Sequence, residues 1–346
     1  MNIIEILTPA YDAAWLPWAV QYFFLVAIAC TTAITASYLV FKPAEAPERQ
    51  LLPTAVVVLI VSAIAAPVAL LADLHQPGRF WHFYAYFSPW SWMSIGAVLL
   101  PIFVSLALLF CLLWWFNKHS LLRVCGIALT LSALSILLYT GAEIMILRSR
   151  PLWHTYFLPI NFALTGWLGA LGAMILVARW LPGGIAALPA TFMRKLCLIA
   201  LSLLTLSALA WVVSGLLGLD ASFAAAFELF ETYPTWRTSL FGSLILALVL
   251  FILLRVPAQR LCTPYHSLVA ALVMLSAAWV FRWVILMRVQ GVPKYGAGLY
   301  VQSMPLGSNG LLGILGIFGL CVALLAIVTL FIEHHSSYAT SRPQHA

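Results

Sequence analysis

Asp73 and Glu143 differ from most of the chain's few acids in falling at the end of, or inside, long apolar runs rather than in polar connections. An ionisable group in such a run is costly to keep and is by default a functional candidate. Around the first acid, the stretch Ala72-Asp73-Leu74-His75-Gln76-Pro77-Gly78-Arg79-Phe80-Trp81-His82-Phe83 places a carboxylate, two imidazoles and an arginine in one short segment. It continues through Tyr84, Tyr86, Pro89, Trp90 and Trp92 into the next apolar run. A quinone headgroup requires hydrogen-bond donors at two carbonyls, proton carriers nearby and a greasy entrance for its tail, and this segment can supply all three. The bland alternative is that Asp73 only caps a helix, that Glu143 pairs with Arg148 or Arg150, and that the aromatics are an interfacial belt.

Tyr139 and Glu143 are four residues apart, which puts them on one face of a helix, and Gly141 between them lets a neighbour come close. Gln21 and Trp18 lie in the first apolar run, and Arg282 is the one base well inside a run. Quinol oxidation releases two protons, each needing an acceptor within reach. Asp73 and His75 are expected to take the first, with Glu143 a second carrier. A free phenol titrates near pH 10, roughly, so Tyr139 is expected to orient the quinol rather than act as a base. Arg79 and Trp18 complete the expected quinone contacts.

These residues need long apolar elements to hold them. The chain has 346 residues, 64% hydrophobic and 8% charged, with a mean hydropathy of +1.04. A soluble domain carries roughly a quarter charged residues, so a soluble enzyme, a disordered regulator and a nucleic-acid module are all excluded. A membrane-spanning helix needs roughly 20 apolar residues. Such runs occur near 15–41, 51–72, 89–117, 121–147, 154–181, 196–219, 236–254, 266–290 and 308–332. They are continuous rather than alternating, which predicts helices and not a β-barrel. The expected fold is all-α: one polytopic membrane bundle of about nine helices over 1–346. Within it, 15–147 hold the quinol-site helices, 154–332 the rest of the bundle and 333–346 a polar tail.

With the N-terminus outside, Arg79, Arg148, Arg150, Arg237, Arg288 and Lys294 fall outside. Lys42, Arg49, Lys118, Arg123, Arg179, Arg194, Lys195, Arg255, Arg260 and Arg342 then fall inside. The excess of inner bases predicts N-out and C-in, which brings Gln21, Asp73, His75, Tyr139 and Glu143 to the outer side. Residues 1–14 have no Lys or Arg, so the first run reads as a retained helix and not a signal peptide. The six cysteines are isolated, with no C-x-x-C, and read as small hydrophobes. The histidines fall at helix ends, in connections or in the tail, so neither a haem nor an iron–sulfur cluster is expected in this chain. The residues alone leave two functions open, a quinol-oxidising anchor and a secondary transporter. The lack of an evident internal repeat weighs against the transporter.

The segments WLPWAVQYFF (15–24), ADLHQPGRFWHFYAYFSPWSWMSIGAVLLP (72–101), YTGAEIMILRSRPLW (139–153), FRWVILMRVQGVPKY (281–295) and SNGLLGILGIFGL (308–320) resemble the NrfD/polysulfide-reductase membrane-subunit family over nearly the whole chain. The resemblance implies a cofactor-free anchor in the bacterial inner membrane, in a respiratory reductase of the tetrathionate-reductase kind. Such an anchor oxidises quinol or menaquinol at the outer face and is not the terminal reductase itself. Its implied partners are a ferredoxin-like iron–sulfur subunit and a molybdopterin catalytic subunit. The family's quinone positions fall here on Gln21, on Asp73 with His75, and on Tyr139. Some relatives have His or Asn in the first helix where this chain offers Trp18 and Gln21. A glutamine cannot carry a proton, which shifts that role to Asp73, His75 or Glu143.

Overall fold

The computed structural model describes residues 15–74, 76–292 and 304–341, with side chains except at 235 and 333–341. His75 therefore lies outside the described residues. The helices are α1 (Pro17–Val40), α2 (Leu52–Asp73), α3 (His82–Ala85), α4 (Trp92–Trp115), α5 (His119–Met145) and α6 (Phe157–Val177), followed by α7 (Ala190–Leu216), α8 (Ala221–Thr232), α9 (Pro234–Arg255), α10 (Pro264–Trp283) and α11 (Leu311–Ser341). Among the described residues there is no strand, and nine helices, all but α3 and α8, are long and apolar enough to cross a membrane. Proline stands in the first turn of α1, α2, α9 and α10, where its missing N–H costs nothing.

Two elements depart from the sequence expectation. The stretch near 220–235, read as a connection, contains α8. Asp220 caps it, its Oδ1 accepting the Ser222 N–H at 2.8 Å, and a helix of this length is too short to stand out as a span. The polar tail expected from 333 begins as helix, since α11 runs on to Ser341.

The order of burial follows from composition. α1 is apolar on every side, and a helix of that kind belongs inside. Val20, Ala29, Cys30, Ala33, Ala36 and Leu39 are all fully buried, and α2, α5 and α6 enclose it. By contrast α9 and α11 expose Leu244, Leu248 and Ile252, and Leu312, Leu315 and Val322, faces suited to lipid tails. Close packing on α6 relies on Gly166 and Gly172. A Cβ at 166 would come within 2.7 Å of the Ala27 Cβ, and one at 172 within 2.8 Å of the Met274 Cβ. Small residues of this kind let helix backbones approach where no hydrophobic force drives association. Several buried hydroxyls are satisfied within their own helices: Thr31 donates to Ala27 O at 2.7 Å and Ser62 to Val58 O at 2.6 Å, a local solution suited to a dry interior.

Alternation of the spans sorts residues by end. α1, α4, α6, α9 and α11 begin at one end of the bundle, and α2, α5, α7 and α10 finish there. Asp73, Tyr139 and Glu143 therefore share one end, as expected, and Arg282 lies toward the same end.

Candidate quinone site

The start of α1 has no side-chain cap of its own, so its orphan N–H groups need partners from elsewhere. Asp73, the last residue of α2, supplies one: its Oδ1 accepts the Leu16 N–H at 3.0 Å. Gln290 supplies another, its Oε1 accepting the Trp15 N–H at 2.9 Å while its Nε2 donates to Trp15 O at 3.1 Å. The half-buried Asp73 thus does more than close its own helix; it holds the entrance of α1.

Gln290 follows the π-helical turn Val284–Arg288 that extends α10. Such a turn leaves carbonyls for other donors, and Trp153 Nε1 donates to Ile285 O at 2.8 Å. Arg150 caps the end of the same element, its Nη1 donating to Val289 O at 2.8 Å and Val292 O at 2.9 Å. A cation at a helix C-terminus is favourably placed. The guanidinium also lies 5.0 Å from the Trp153 ring, and Trp153 stacks on Trp15 at 5.4 Å.

These groups wall a cavity of about 400 Å³ at the end of the bundle where α1 begins. Trp15, Trp90, Trp92 and Trp153 form its apolar sides, with Glu143, Arg150 and Gln290 as polar groups. A volume of this order suits a small aromatic headgroup. Glu143 is contributed by the last turn of α5. Its neighbour on the same face is Tyr139, one turn deeper, whose hydroxyl lies close to the carboxylate. Gly96 of α4 makes room for the phenol, since any Cβ there would overlap the Tyr139 ring. Gly141 admits Pro159 of α6 in the same way. Gly141→Val is accordingly expected to destabilise the chain by about 1–3 kcal/mol, read as a lower midpoint of thermal unfolding in detergent; an unchanged midpoint would mean that α5 and α6 are not pressed together here.

Of the residues expected from sequence, the structure brings Glu143 to the cavity and Tyr139 directly behind it. Asp73 stands behind the wall, one residue removed from Trp15 through its bond to Leu16. Gln21 is fully buried in α1, and neither atom of its amide finds a partner among the described residues. Trp18 turns toward α11, where a Cβ at Gly313 would meet its ring at 2.8 Å. Arg79 is exposed in the turn Pro77–Arg79. Arg282 is fully buried away from the cavity, donating to Phe23 O, Phe162 O, Ala278 O and Thr165 Oγ1 at 2.8–3.1 Å. It ties α1, α6 and α10 together. The wall residues Trp15, Arg150, Trp153 and Gln290 did not figure among the expected site residues. Their signal was the run LRSRPLW and the end of FRWVILMRVQ, both readable as interfacial anchors.

A bundle of membrane-crossing helices with an aromatic cavity and a carboxylate at one end is an integral-membrane component rather than a free-standing soluble catalyst. The family described as Polysulphide reductase, NrfD, matches residues 7–294, and the chain belongs to that family. A tetrathionate reductase subunit of Salmonella typhimurium (strain LT2) is 35% identical over 343 residues, covering 94% of each chain. The chain is thus a multi-pass membrane subunit of a respiratory reductase complex of the bacterial inner membrane.

Proposed function

We propose that this chain oxidises quinol in the tryptophan-walled cavity and passes the electrons to an iron–sulfur subunit, from which they reach a molybdopterin catalytic subunit. Tetrathionate is the proposed terminal acceptor, by similarity to the Salmonella protein. The observation that carries the reading is the cavity itself, which among the described residues combines aromatic walls with one carboxylate and one guanidinium at a single end of the bundle. The overall step is QH2 → Q + 2H⁺ + 2e⁻. Both electrons leave to the partner's cluster, so the chain needs no haem or cluster of its own. In this scheme the cavity end faces outward, with the N-terminus outside, and the partner subunits cover it.

Glu143 accepts one proton, because its carboxylate lines the cavity. Tyr139 is a positioning residue that holds this carboxylate. The second proton is assigned to Asp73 with His75, which reverses the order expected from sequence. Arg150 stands where it can hydrogen-bond a quinone oxygen, and Gln290 keeps Trp15 in the wall.

A photoreactive menaquinone analogue tests the placement. Labelled peptides should contain Trp90–Met93 or Ser149–Trp153, and excess menaquinone should suppress the labelling. Labelling confined to the opposite end of the bundle would overturn the site, and b-type haem bands in the purified chain would overturn the cofactor-free scheme.

A further inference from the structure

A second cavity, of about 410 Å³, lies at the other end of the bundle, between the start of α7 and the turn that follows α9. Its cationic lining is Arg194 and Lys195, with Ser202 on one side and Ala258 of the turn opposite. Arg194 is fixed by its Nε, which donates to Leu254 O at 2.9 Å, so its terminal amino groups are already oriented when a ligand arrives. Leu198, Ile199 and Leu203 continue the lining. All of these α7 residues recur at intervals of three and four, hence on one face of the helix. Beyond the cavity the same face runs on through Leu206, Leu209 and Val213, each large, apolar and exposed. The neighbouring connections 178–189 and 255–263 carry Arg179, Arg255 and Arg260 and no acid.

Cations at the helix start and an unbroken apolar stripe below them match the two ends of a lipid whose headgroup is negatively charged. A basic hollow between spanning helices at the membrane surface is the usual seat of such headgroups. We propose that this cavity binds an anionic phospholipid, with the phosphate on Arg194 and Lys195 and an acyl chain along α7. This site is at the far end of the bundle from the tryptophan-walled cavity, so it stands or falls independently of quinol oxidation.

The test uses the full chain purified in mild detergent, titrated with phosphatidylglycerol or phosphatidylethanolamine in mixed micelles and read by native mass spectrometry. Phosphatidylglycerol should bind with a defined stoichiometry and phosphatidylethanolamine should not compete. Arg194→Gln with Lys195→Gln should weaken binding by about thirtyfold, the change expected for two cationic contacts at a membrane surface. The charge-matched pair Lys118→Gln with Arg123→Gln, exposed at the same end of the bundle, should leave it unchanged. Ser202→Trp should fill the path of the acyl chain and weaken the lipid while leaving glycerol phosphate unaffected. Equal binding by both double variants would overturn the proposal, as would equal competition by phosphatidylethanolamine. Full displacement by inorganic phosphate, with Ser202→Trp silent, would make this an ion site and not a lipid site. Protection of this face from deuterium exchange by a partner protein, in place of lipid, would likewise overturn it.

Discussion

Glu143→Gln is expected to slow quinol-driven reduction of the terminal acceptor by about a hundredfold or more, within the range that loss of a positioned acid–base group produces. The substitution keeps the volume of the side chain and still offers an oxygen to the Tyr139 hydroxyl, so the wall of the cavity stays in place. What it removes is the one carboxylate lining the cavity among the described residues. The complex should assemble normally, and an artificial donor that delivers electrons directly to the partner subunits should give the unaltered rate. Tyr139→Phe should have a smaller effect, because the ring would still fill the space that Gly96 leaves and only the hydroxyl beside the carboxylate would be lost. A Glu143→Gln complex that oxidises quinol at the full rate would show that protons leave by another group. A loss seen equally with the artificial donor would mean that the variant damages assembly instead.

Why Glu143 was legible and its surroundings were not is a matter of sequence distance. Its link to Tyr139 spans one helical turn, and a spacing of four residues announces such a pair in any helix. The nine spans were equally plain, because a bilayer imposes both length and composition on each of them. The bonds that build the cavity are of another kind. Asp73 meets Leu16 across 57 positions, Arg150 meets Val289 across 139, and Gln290 meets Trp15 across 275. Each joins a side chain to a backbone group at a helix end or the edge of a π-helical turn, and backbone groups have no residue type through which a pattern could reveal them. Arg282 shows the same limit in reverse. A base inside an apolar run suggests a functional charge, yet its partners are three backbone carbonyls and a threonine hydroxyl drawn from three helices, and it serves the packing. Trp18 and Gln21 lie in α1, a few residues after Trp15, but the orientation of α1 turns Trp18 toward α11 and leaves Gln21 sealed inside.

Asp73 can act through its charge or through its shape, and a pair of substitutions separates the two. The carboxylate oxygen accepts the Leu16 N–H, one of the orphan donors at the start of α1, and Leu16 is followed by the proline that opens that helix. Asp73→Asn retains an oxygen for this bond and removes the base. Asp73→Ala removes both, at an expected cost of about 1–3 kcal/mol for a donor left without its acceptor, and should let Trp15 shift against Trp153. If Asp73 carries the second proton, Asn and Ala should both depress quinol-driven turnover by about tenfold or more, and only Ala should lower the thermal midpoint. If Asp73 serves the entrance of α1 alone, Asn should retain nearly full turnover and stability while Ala loses both. Measured at saturating quinol, with the artificial donor as reference, turnover by Asp73→Asn therefore decides the matter. A rate equal to the unmodified complex would confine Asp73 to holding α1 and leave Glu143 as the proton acceptor of the site.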